Sequence, residues 1–264
     1  MVELIDKVCN LAREAGERIM PFYRAALTVK SKEDRSPLTE ADLASHRFLV
    51  GALPDLLPGV PVISEESENA ASAALPARFW LVDPLDGTKE FLKGTNEFTV
   101  NIALVKDGHP ILGVVYAPAL DLTYYGTLVT GAWRRVGAQA ASRFTARRAN
   151  PAGLAIVASK DHAGPLVADL LKKYPAASLR SMGSSLKFCL VAEGSADIYL
   201  RDVPTMEWDT AAAHCVVEAA GGIICLLDGS PLVYGKPGLK NPSIITLGDP
   251  SLARVVTSPS PPAT

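Results

Sequence analysis

One segment of the chain reads Trp80-Leu81-Val82-Asp83-Pro84-Leu85-Asp86-Gly87-Thr88-Lys89-Glu90-Phe91, and its two halves favour different structures. The apolar run that ends at Val82 predicts a short buried strand. The dipeptides Asp83-Pro84 and Asp86-Gly87 are strong turn signals, and the proline disfavours helix at the residue before it. We therefore expect a tight turn at the end of a buried strand, where two carboxylates and the Leu85 carbonyl face one point.

Two carboxylates and a carbonyl are hard oxygen donors, which suit Mg²⁺ better than zinc. The same dipeptides also occur in ordinary surface turns, so this segment alone does not separate a site from a turn. Two other segments place acids at the end of an element: Glu65-Glu66 follow an apolar run, and Asp209 begins a helical pattern. Because functional residues concentrate at such ends, the three segments together favour a metal site.

The composition describes an ordinary globular chain of 264 residues, 48% hydrophobic and 20% charged, with a net charge of −2. It predicts no nucleic-acid partner and no polybasic membrane arm. Four widely spaced cysteines without a C-x-x-C pattern predict reduced, buried thiols. We expect no signal peptide and no integral membrane segment, since no apolar run approaches the ~18–20 residues of a span. The predicted location is the cytoplasm, with peripheral association at the inner membrane left open.

The periodicity predicts α/β architecture in two lobes. In the first, helices over 2–25 and 39–57 precede a run of antiparallel strands, and Thr39 with Asp42 forms a capping box that explains this acid without a site. Residues 137–152 are interpreted as a linker-like face. In the second, strands and helices alternate from Leu154 to Leu247. We therefore predict an N-terminal α+β lobe over 1–150, with an antiparallel sheet and metal-binding carboxylates, and a C-terminal α/β lobe over 151–264.

Several catalytic patterns are missing from the sequence. It contains no G-x-G-x-x-G, no G-x-S-x-G and no histidine pair at metal-binding spacing. These absences disfavour NTP binding, covalent serine catalysis and zinc hydrolysis.

The acids are embedded in three motifs of one known family. The motifs are Ser64-Glu65-Glu66-Ser67, the Trp80 to Phe91 segment, and Trp208-Asp209-Thr210-Ala211-Ala212. In order and spacing they resemble the Mg²⁺-dependent, lithium-sensitive phosphatases of the inositol monophosphatase superfamily. Three further stretches, Asp34 to Asp42, Asn96 to Leu104 and Gly183 to Ala192, resemble its bacterial 3'(2'),5'-bisphosphate nucleotidase branch, which also has the Lys-Glu-Phe ending of the central segment.

The resemblance implies an α/β/α/β/α layered sandwich of two lobes with the site between them. It implies two or three Mg²⁺ ions held by Glu65, Asp83, the Leu85 carbonyl, Asp86 and Asp209. It implies that Asp34 and Thr88 orient and deprotonate the attacking water. The residues implied for substrate binding are Gly87, Thr88, Ser159, His162, Gly183, Ser184, Lys187, Arg201 and Asp209.

The implied substrate is adenosine 3',5'-bisphosphate, which gives AMP and phosphate, with 3'-phosphoadenosine 5'-phosphosulfate as a second substrate and a place in sulfur metabolism. Inhibition by Li⁺ and a monomeric or homodimeric state are further expectations. An inositol or sugar monophosphatase on the same scaffold is the alternative, and a non-catalytic nucleotide or metal sensor is a third hypothesis. Without the resemblance, Lys187 and Arg201 would be interpreted as solvated surface cations.

Overall fold

The computed structural model describes residues 1–25, 29–31, 37–68, 75–150, 152–158 and 164–253. Its helices are α1 (Val2–Ile19), α2 (Glu40–Leu56), α3 (Thr88–Lys93), α4 (Pro165–Lys173), α5 (Leu186–Ala192) and α6 (Ala211–Ala219). Its strands are β1 (Lys30–Ser31), β2 (Pro37–Leu38), β3 (Val62–Ser64), β4 (Arg78–Asp86), β5 (Thr99–Lys106), β6 (His109–Ala117), β7 (Leu122–Thr127), β8 (Gly131–Val136), β9 (Ser142–Phe144), β10 (Ala155–Ala158), β11 (Ser178–Ser181), β12 (Ile198–Arg201), β13 (Thr205–Met206), β14 (Ile223–Leu226), β15 (Lys240–Asn241) and β16 (Ile244–Leu247).

Two large sheets organise the chain. The first has seven strands in the order β3-β4-β5-β6-β7-β8-β9, and the second has five in the order β11-β10-β12-β16-β14. In the first sheet β3 pairs parallel to β4 and the other pairings are antiparallel. The second sheet is mixed, because β10 runs parallel to β11 and β12 while β16 is antiparallel to both of its neighbours.

Strand alternation divides the core among layers. Trp80 and Val82 pack with α1 and α2, whereas Phe79 and Leu81 on the opposite face pack with α5 and α6. The same rule applies to the second sheet, where Tyr199 joins the α5–α6 cluster and its neighbours join α4. Because successive side chains of a strand point to opposite faces, each sheet packs against other elements on both of its faces. The predicted α/β/α/β/α layering is confirmed, and the division into lobes at 150/151 stays a prediction.

Helix α6 lies between the two sheets, which explains its composition. Residues 211–217 are all buried, and five of them are apolar alanine or valine side chains. A helix that is apolar all round is typical of a fully buried position. It carries the residues after Asp209 across β6, where Gly113 lets the helix backbone approach the strand closely.

Three local predictions were wrong. Helix α1 ends at Ile19, and a 3₁₀ turn with Pro21 follows, because proline cannot continue the hydrogen bonding of a helix. The linker-like face contains strand β9, whose Ser142 to Phe144 pair with β8. The first sheet is not wholly antiparallel, because β3 pairs parallel to β4.

The predicted tight turn at Asp83-Pro84 is instead an irregular stretch within a strand. Strand β4 continues to Asp86, with a register shift between Asp83 and Asp86. Proline has no N–H for the ladder, so the strand bulges there and pairs again where Asp86 faces Thr99. The sharp change of direction comes at Gly87, whose φ of 89° is left-handed, and α3 begins immediately after it.

The capping box at the start of α2 and the buried thiols are both confirmed. The Thr39 backbone N–H donates to Asp42 Oδ2 at 2.8 Å, and the Ala41 N–H donates to the Thr39 hydroxyl. All four cysteines are buried and free, and burial raises the pKa of Cys9 to about 12. In the part of the chain that is described, no helix is long and apolar enough to cross a membrane.

The close approach of α6 to β6 gives a prediction. An added Cβ at Gly113 would lie 2.1 Å from the Ala212 carbonyl oxygen, so we expect Gly113→Ala to lower the free energy of unfolding by about 3 kcal/mol, measured by urea denaturation. The control is Gly51→Ala in the exposed middle of α2, where nothing lies within 4 Å of the added carbon. That change should stabilise by about 0.5–1 kcal/mol. Equal effects at the two positions would contradict the packing described.

Candidate active site

A cleft opens where β4 ends, beside the start of α5 and of α6. Six of the residues predicted for the site line it, namely Asp86, Gly87, Ser184, Lys187, Arg201 and Asp209. The structure adds lining residues that the sequence did not single out, namely Lys89, Glu90, Ser185, Phe188, Tyr199, Thr205 and Thr210. Residues more than 100 positions apart in the chain therefore share one cavity.

The Asp86 carboxylate is held from one side. Its Oδ2 accepts the Ser185 N–H at 2.6 Å and lies 2.7 Å from the Ser185 hydroxyl. The side chains of Thr99 and Asn101 on the neighbouring strand β5 reach the same oxygen at 3.4 and 3.3 Å. The other oxygen, Oδ1, accepts no hydrogen bond from the described residues. Asp86 is thus fixed in orientation, with one oxygen left for another partner.

Behind Asp86, the end of β4 places a second acid and a carbonyl. Asp83 is 1% exposed, and its Oδ1 accepts the Leu85 N–H at 3.0 Å. The Leu85 carbonyl oxygen lies 3.3 Å from the Thr88 hydroxyl. The bulged strand therefore carries the carboxylate and carbonyl oxygens that the sequence pattern had placed on a turn.

Thr88 makes a contact that the sequence analysis missed. Its hydroxyl lies 3.1 Å from Asp42 Oδ1, while Asp42 Oδ2 caps helix α2. Asp42 therefore links the predicted catalytic threonine to a rigid helix start, in addition to its capping role.

Asp209 sits in a field of like charge. Burial raises its pKa well above the usual range, and the Asp86 and Glu65 carboxylates raise it further, whereas the N–H of Met206 opposes the shift. Glu65 is placed by its backbone, whose N–H donates to the Val82 carbonyl in the middle of β4. Among the described residues, no three His, Cys, Asp or Glu side chains stand in an arrangement that would hold a metal ion. The donor chemistry nonetheless fits Mg²⁺, because carboxylate and carbonyl oxygens are the ligands that this hard cation prefers.

The same cleft is also lined by cations. Lys187 is 6% exposed, and burial lowers its pKa to about 8, although Asp86 favours the charged form. Its Nζ donates to the Ser184 carbonyl at 2.6 Å and lies 5.5 Å from the centre of the Tyr199 ring. Arg201 also lines the cleft, and its buried Nε has no hydrogen-bond partner within the described part of the chain. A buried arginine donor without a partner suits an anionic ligand.

Two predicted glycines contribute by their lack of a side chain. An added Cβ at Gly183 would lie 2.6 Å from the side chain of Glu90, and the Gly183 N–H donates to Glu97 at 2.7 Å. That N–H is therefore already engaged by the protein. At Gly87 an added Cβ would meet Glu97 and Ser184 within 3.2 Å, so the positive φ and the tight space both require glycine.

Three predicted residues, Asp34, Ser159 and His162, lie outside the described residues. Of the residues that were missed, Asp42 had a sufficient local explanation as a cap. Ser185 precedes α5, so packing beside this helix is a sufficient local explanation, and nothing in its local sequence distinguishes a packing serine from one that contacts an acid of another layer. Lys89 and Thr210 lie inside two of the quoted motifs, next to residues that were assigned to the site.

Comparison with known proteins shows the family of the chain. The sequence profile described as "Inositol monophosphatase family" matches residues 1–255. The chain belongs to the inositol monophosphatase family. Within this family it is 46% identical over 235 residues, which are 88% of this chain and 94% of the relative, to a protein of Escherichia coli O157:H7 named 3'(2'),5'-bisphosphate nucleotidase CysQ. A protein of Haemophilus influenzae with the same name is 36% identical over 94% of both chains. The resemblance to this branch is confirmed.

Solved structures of the inositol monophosphatase family show the same fold. The crystal structure of CysQ from Bacteroides thetaiotaomicron has a TM-score of 0.76 at 40% identity and covers 90% of this chain and 94% of its own. The IMPase of Thermotoga maritima has a TM-score of 0.80 at 25% identity and covers 97% and 96% of the two chains.

The charge on Asp209 gives a prediction for the metal-free protein. Because its pKa is raised in the folded state, ionised Asp209 lowers stability at neutral pH, and that cost is relieved as the pH falls. We expect Asp209→Asn to raise the melting temperature at pH 7 in EDTA by about 2–4 °C, which corresponds to ~1 kcal/mol in a chain of this size.

The control for this prediction is Asp197→Asn. Asp197 is also buried, but Arg147 pairs with it at 2.8 and 2.6 Å, so its removal should destabilise by about 3 kcal/mol. Calorimetric melting of the two variants beside the wild type checks both signs. A lower melting temperature for Asp209→Asn in EDTA would show that Asp209 is not under repulsion.

Proposed function

We propose that the protein is a Mg²⁺-dependent 3'(2'),5'-bisphosphate nucleotidase that converts adenosine 3',5'-bisphosphate to AMP and phosphate. The observation that carries the proposal is that one cleft is lined both by the acids Asp86 and Asp209 and by the cations Lys187 and Arg201. A substrate with two phosphates can use both sets of residues, because one phosphate can meet metal ions held by the acids while the other meets Lys187 and Arg201 directly. The name and the 46% identity of the Escherichia coli relative support the same substrate class.

The groups that would hold Mg²⁺ are the predicted acids and one carbonyl, namely Glu65, Asp83, the Leu85 carbonyl, Asp86 and Asp209. When bound, Mg²⁺ would make a nearby water a better nucleophile and stabilise the charge on the leaving oxygen. The protein's own contribution is orientation, since Asp86 is fixed through Oδ2 and Asp209 through the Met206 N–H.

Thr88 and Asp42 would accept the proton that the attacking water loses. With its hydrogen directed to Asp42 Oδ1 at 3.1 Å, the Thr88 hydroxyl oxygen is free to accept a hydrogen bond from a water. A carboxylate fixed on a helix cap can draw the proton along this pair. Asp34 stays a further prediction for this role.

Lys187 and Arg201 would hold the phosphate that is not cleaved. Arg201 offers a planar fork of donors, and Lys187 provides a buried charge beside the Ser184 carbonyl. The predicted substrate contacts of Ser159, His162, Gly183 and Ser184 belong to this part of the proposal.

The remaining parts of the proposal depend on the family resemblance. They are hydrolysis of 3'-phosphoadenosine 5'-phosphosulfate as a second activity, inhibition by Li⁺, two or three Mg²⁺ ions per site, a monomeric or homodimeric state, and a cytoplasmic location.

The deciding experiment is a phosphate-release assay with three substrates. Adenosine 3',5'-bisphosphate, adenosine 3'-monophosphate and inositol 1-phosphate are compared by kcat/KM with Mg²⁺, with EDTA and with Mg²⁺ plus Li⁺. We expect the bisphosphate to be preferred by at least about tenfold, with activity lost in EDTA. Activity that persists after chelation would overturn the metal mechanism, and a preference for inositol 1-phosphate would favour an inositol phosphatase.

The lowered pKa of Lys187 predicts a pH dependence. The side chain is a cation below about pH 8 and neutral above it, so binding of the second phosphate should weaken as the pH rises through 8. We expect kcat/KM for the bisphosphate to fall by up to about tenfold per pH unit above 8 in the wild type.

Two comparisons isolate Lys187 in that profile. Lys187→Arg keeps a cation at every pH used and should lose this fall. Adenosine 3'-monophosphate lacks the second phosphate and should not show it with the wild type. Profiles between pH 6.5 and 9.5 that are the same for both proteins and both substrates would exclude a role of Lys187 in binding.

A further inference from the structure

Ser185 stands at the point where the layers of the protein meet. It is 1% exposed and precedes α5, yet its contacts are with other elements. Its hydroxyl oxygen lies 2.7 Å from Asp86 Oδ2 and 2.7 Å from the backbone carbonyl oxygen of Asp209. The Asn101 side-chain amide donates to the same hydroxyl oxygen at 2.9 Å. One small side chain therefore contacts β4, β5 and the 3₁₀ turn before α6.

The backbone around Ser185 is arranged for this contact. Ser184 has a φ of 47°, in the left-handed region that residues other than glycine seldom adopt. With this conformation the next N–H, that of Ser185, reaches Asp86 Oδ2 at 2.6 Å. A conformation of this kind has an energetic cost, and such conformations cluster at functional sites.

Ser185 contacts both acids. Its N–H donates to Asp86 Oδ2, and its single hydroxyl proton has two acceptors at 2.7 Å, Asp86 Oδ2 and the Asp209 carbonyl oxygen. The hydroxyl oxygen also accepts from the Asn101 amide. In this arrangement Asp86 and the backbone of Asp209 are joined through one residue. Replacement by alanine would keep the N–H contact but leave a buried carbonyl and a buried amide without this partner.

We propose that Ser185 is a positioning residue that fixes the Asp86 carboxylate relative to Asp209, so that both present their oxygens to the same cation. The proposal deepens the proposed function and rests on its Mg²⁺ site. Groups that orient metal ligands without touching the metal commonly change metal affinity or activity by 10- to 100-fold when removed. A serine that only fills space beside α5 would have no such effect.

The test measures Mg²⁺ binding directly, by isothermal titration calorimetry on the whole chain without substrate. Ser185→Ala is expected to weaken Mg²⁺ binding by about tenfold. Ser185→Thr keeps the hydroxyl and should restore affinity to within about twofold of the wild type, even though its extra methyl group lowers the melting temperature.

The matched control is Thr127→Val. Thr127 ends β7 and is also 1% exposed, and its hydroxyl lies 2.8 Å from that of Thr130 in the turn before β8. The Thr127→Val variant should be less stable than the wild type and should have the same Mg²⁺ dissociation constant. Steady-state kinetics add a second readout: for Ser185→Ala, the Mg²⁺ concentration needed for half-maximal activity should rise with little change in the substrate KM at saturating Mg²⁺.

Each result has a distinct meaning. A wild type that binds Mg²⁺ and a Ser185→Ala variant that binds it equally well would overturn the positioning role and leave the proposed function intact. If Ser185→Ala and Thr127→Val weakened Mg²⁺ binding equally, the effect would come from lost stability, and this result would also overturn the positioning role of Ser185. A wild type that binds no Mg²⁺ would overturn the cation site and this inference together.

Discussion

The burial of Asp209 beside two other carboxylates is the constraint around which this site is built. Asp86 ends β4, Glu65 follows β3, and Asp209 lies before α6, so each acid is carried by the end of a different element. The fold brings them close enough that Glu65 and Asp86 both raise the pKa of Asp209. Because the folded chain gains nothing from this crowding itself, the cost is borne by apolar packing in the layers around it.

The layered core is what makes such crowding tolerable. Alternate residues of β4 face two different helix layers, and both sheets are covered on both sides. Helix α6 is sealed between the sheets and fixed at Gly113, so the segment that carries Asp209 cannot retreat from Asp86 without disturbing the centre of the molecule. Rigidity at the site therefore comes from packing that lies behind it.

The sequence predicted the layers better than their connections. Apolar and β-rich runs predicted the long strands β4 to β6, and helical patterns predicted α1, α2 and α6, because each element buries one or more continuous faces. It did not predict the parallel pairing of β3 or the short strand β9, since pairing partners depend on residues distant in the chain. The turn expected at Pro84 was a bulge instead, because the ladder could pair again at Asp86.

The site shows the same limit at the level of single residues. The acids at the turn dipeptides could be predicted as site residues because two further segments also place acids at the ends of elements. Six of the predicted residues share one cleft. Asp42 and Ser185 were missed because their local explanations, a helix cap and helix packing, are correct but incomplete. One oxygen of Asp42 caps α2 while the other faces Thr88, and Ser185 precedes α5 while bonding Asp86. A side chain with two polar contacts can make one of them within its own helix end and the other to a site residue. Local sequence patterns predict the first contact, whereas only the second one indicates a role in the chemistry.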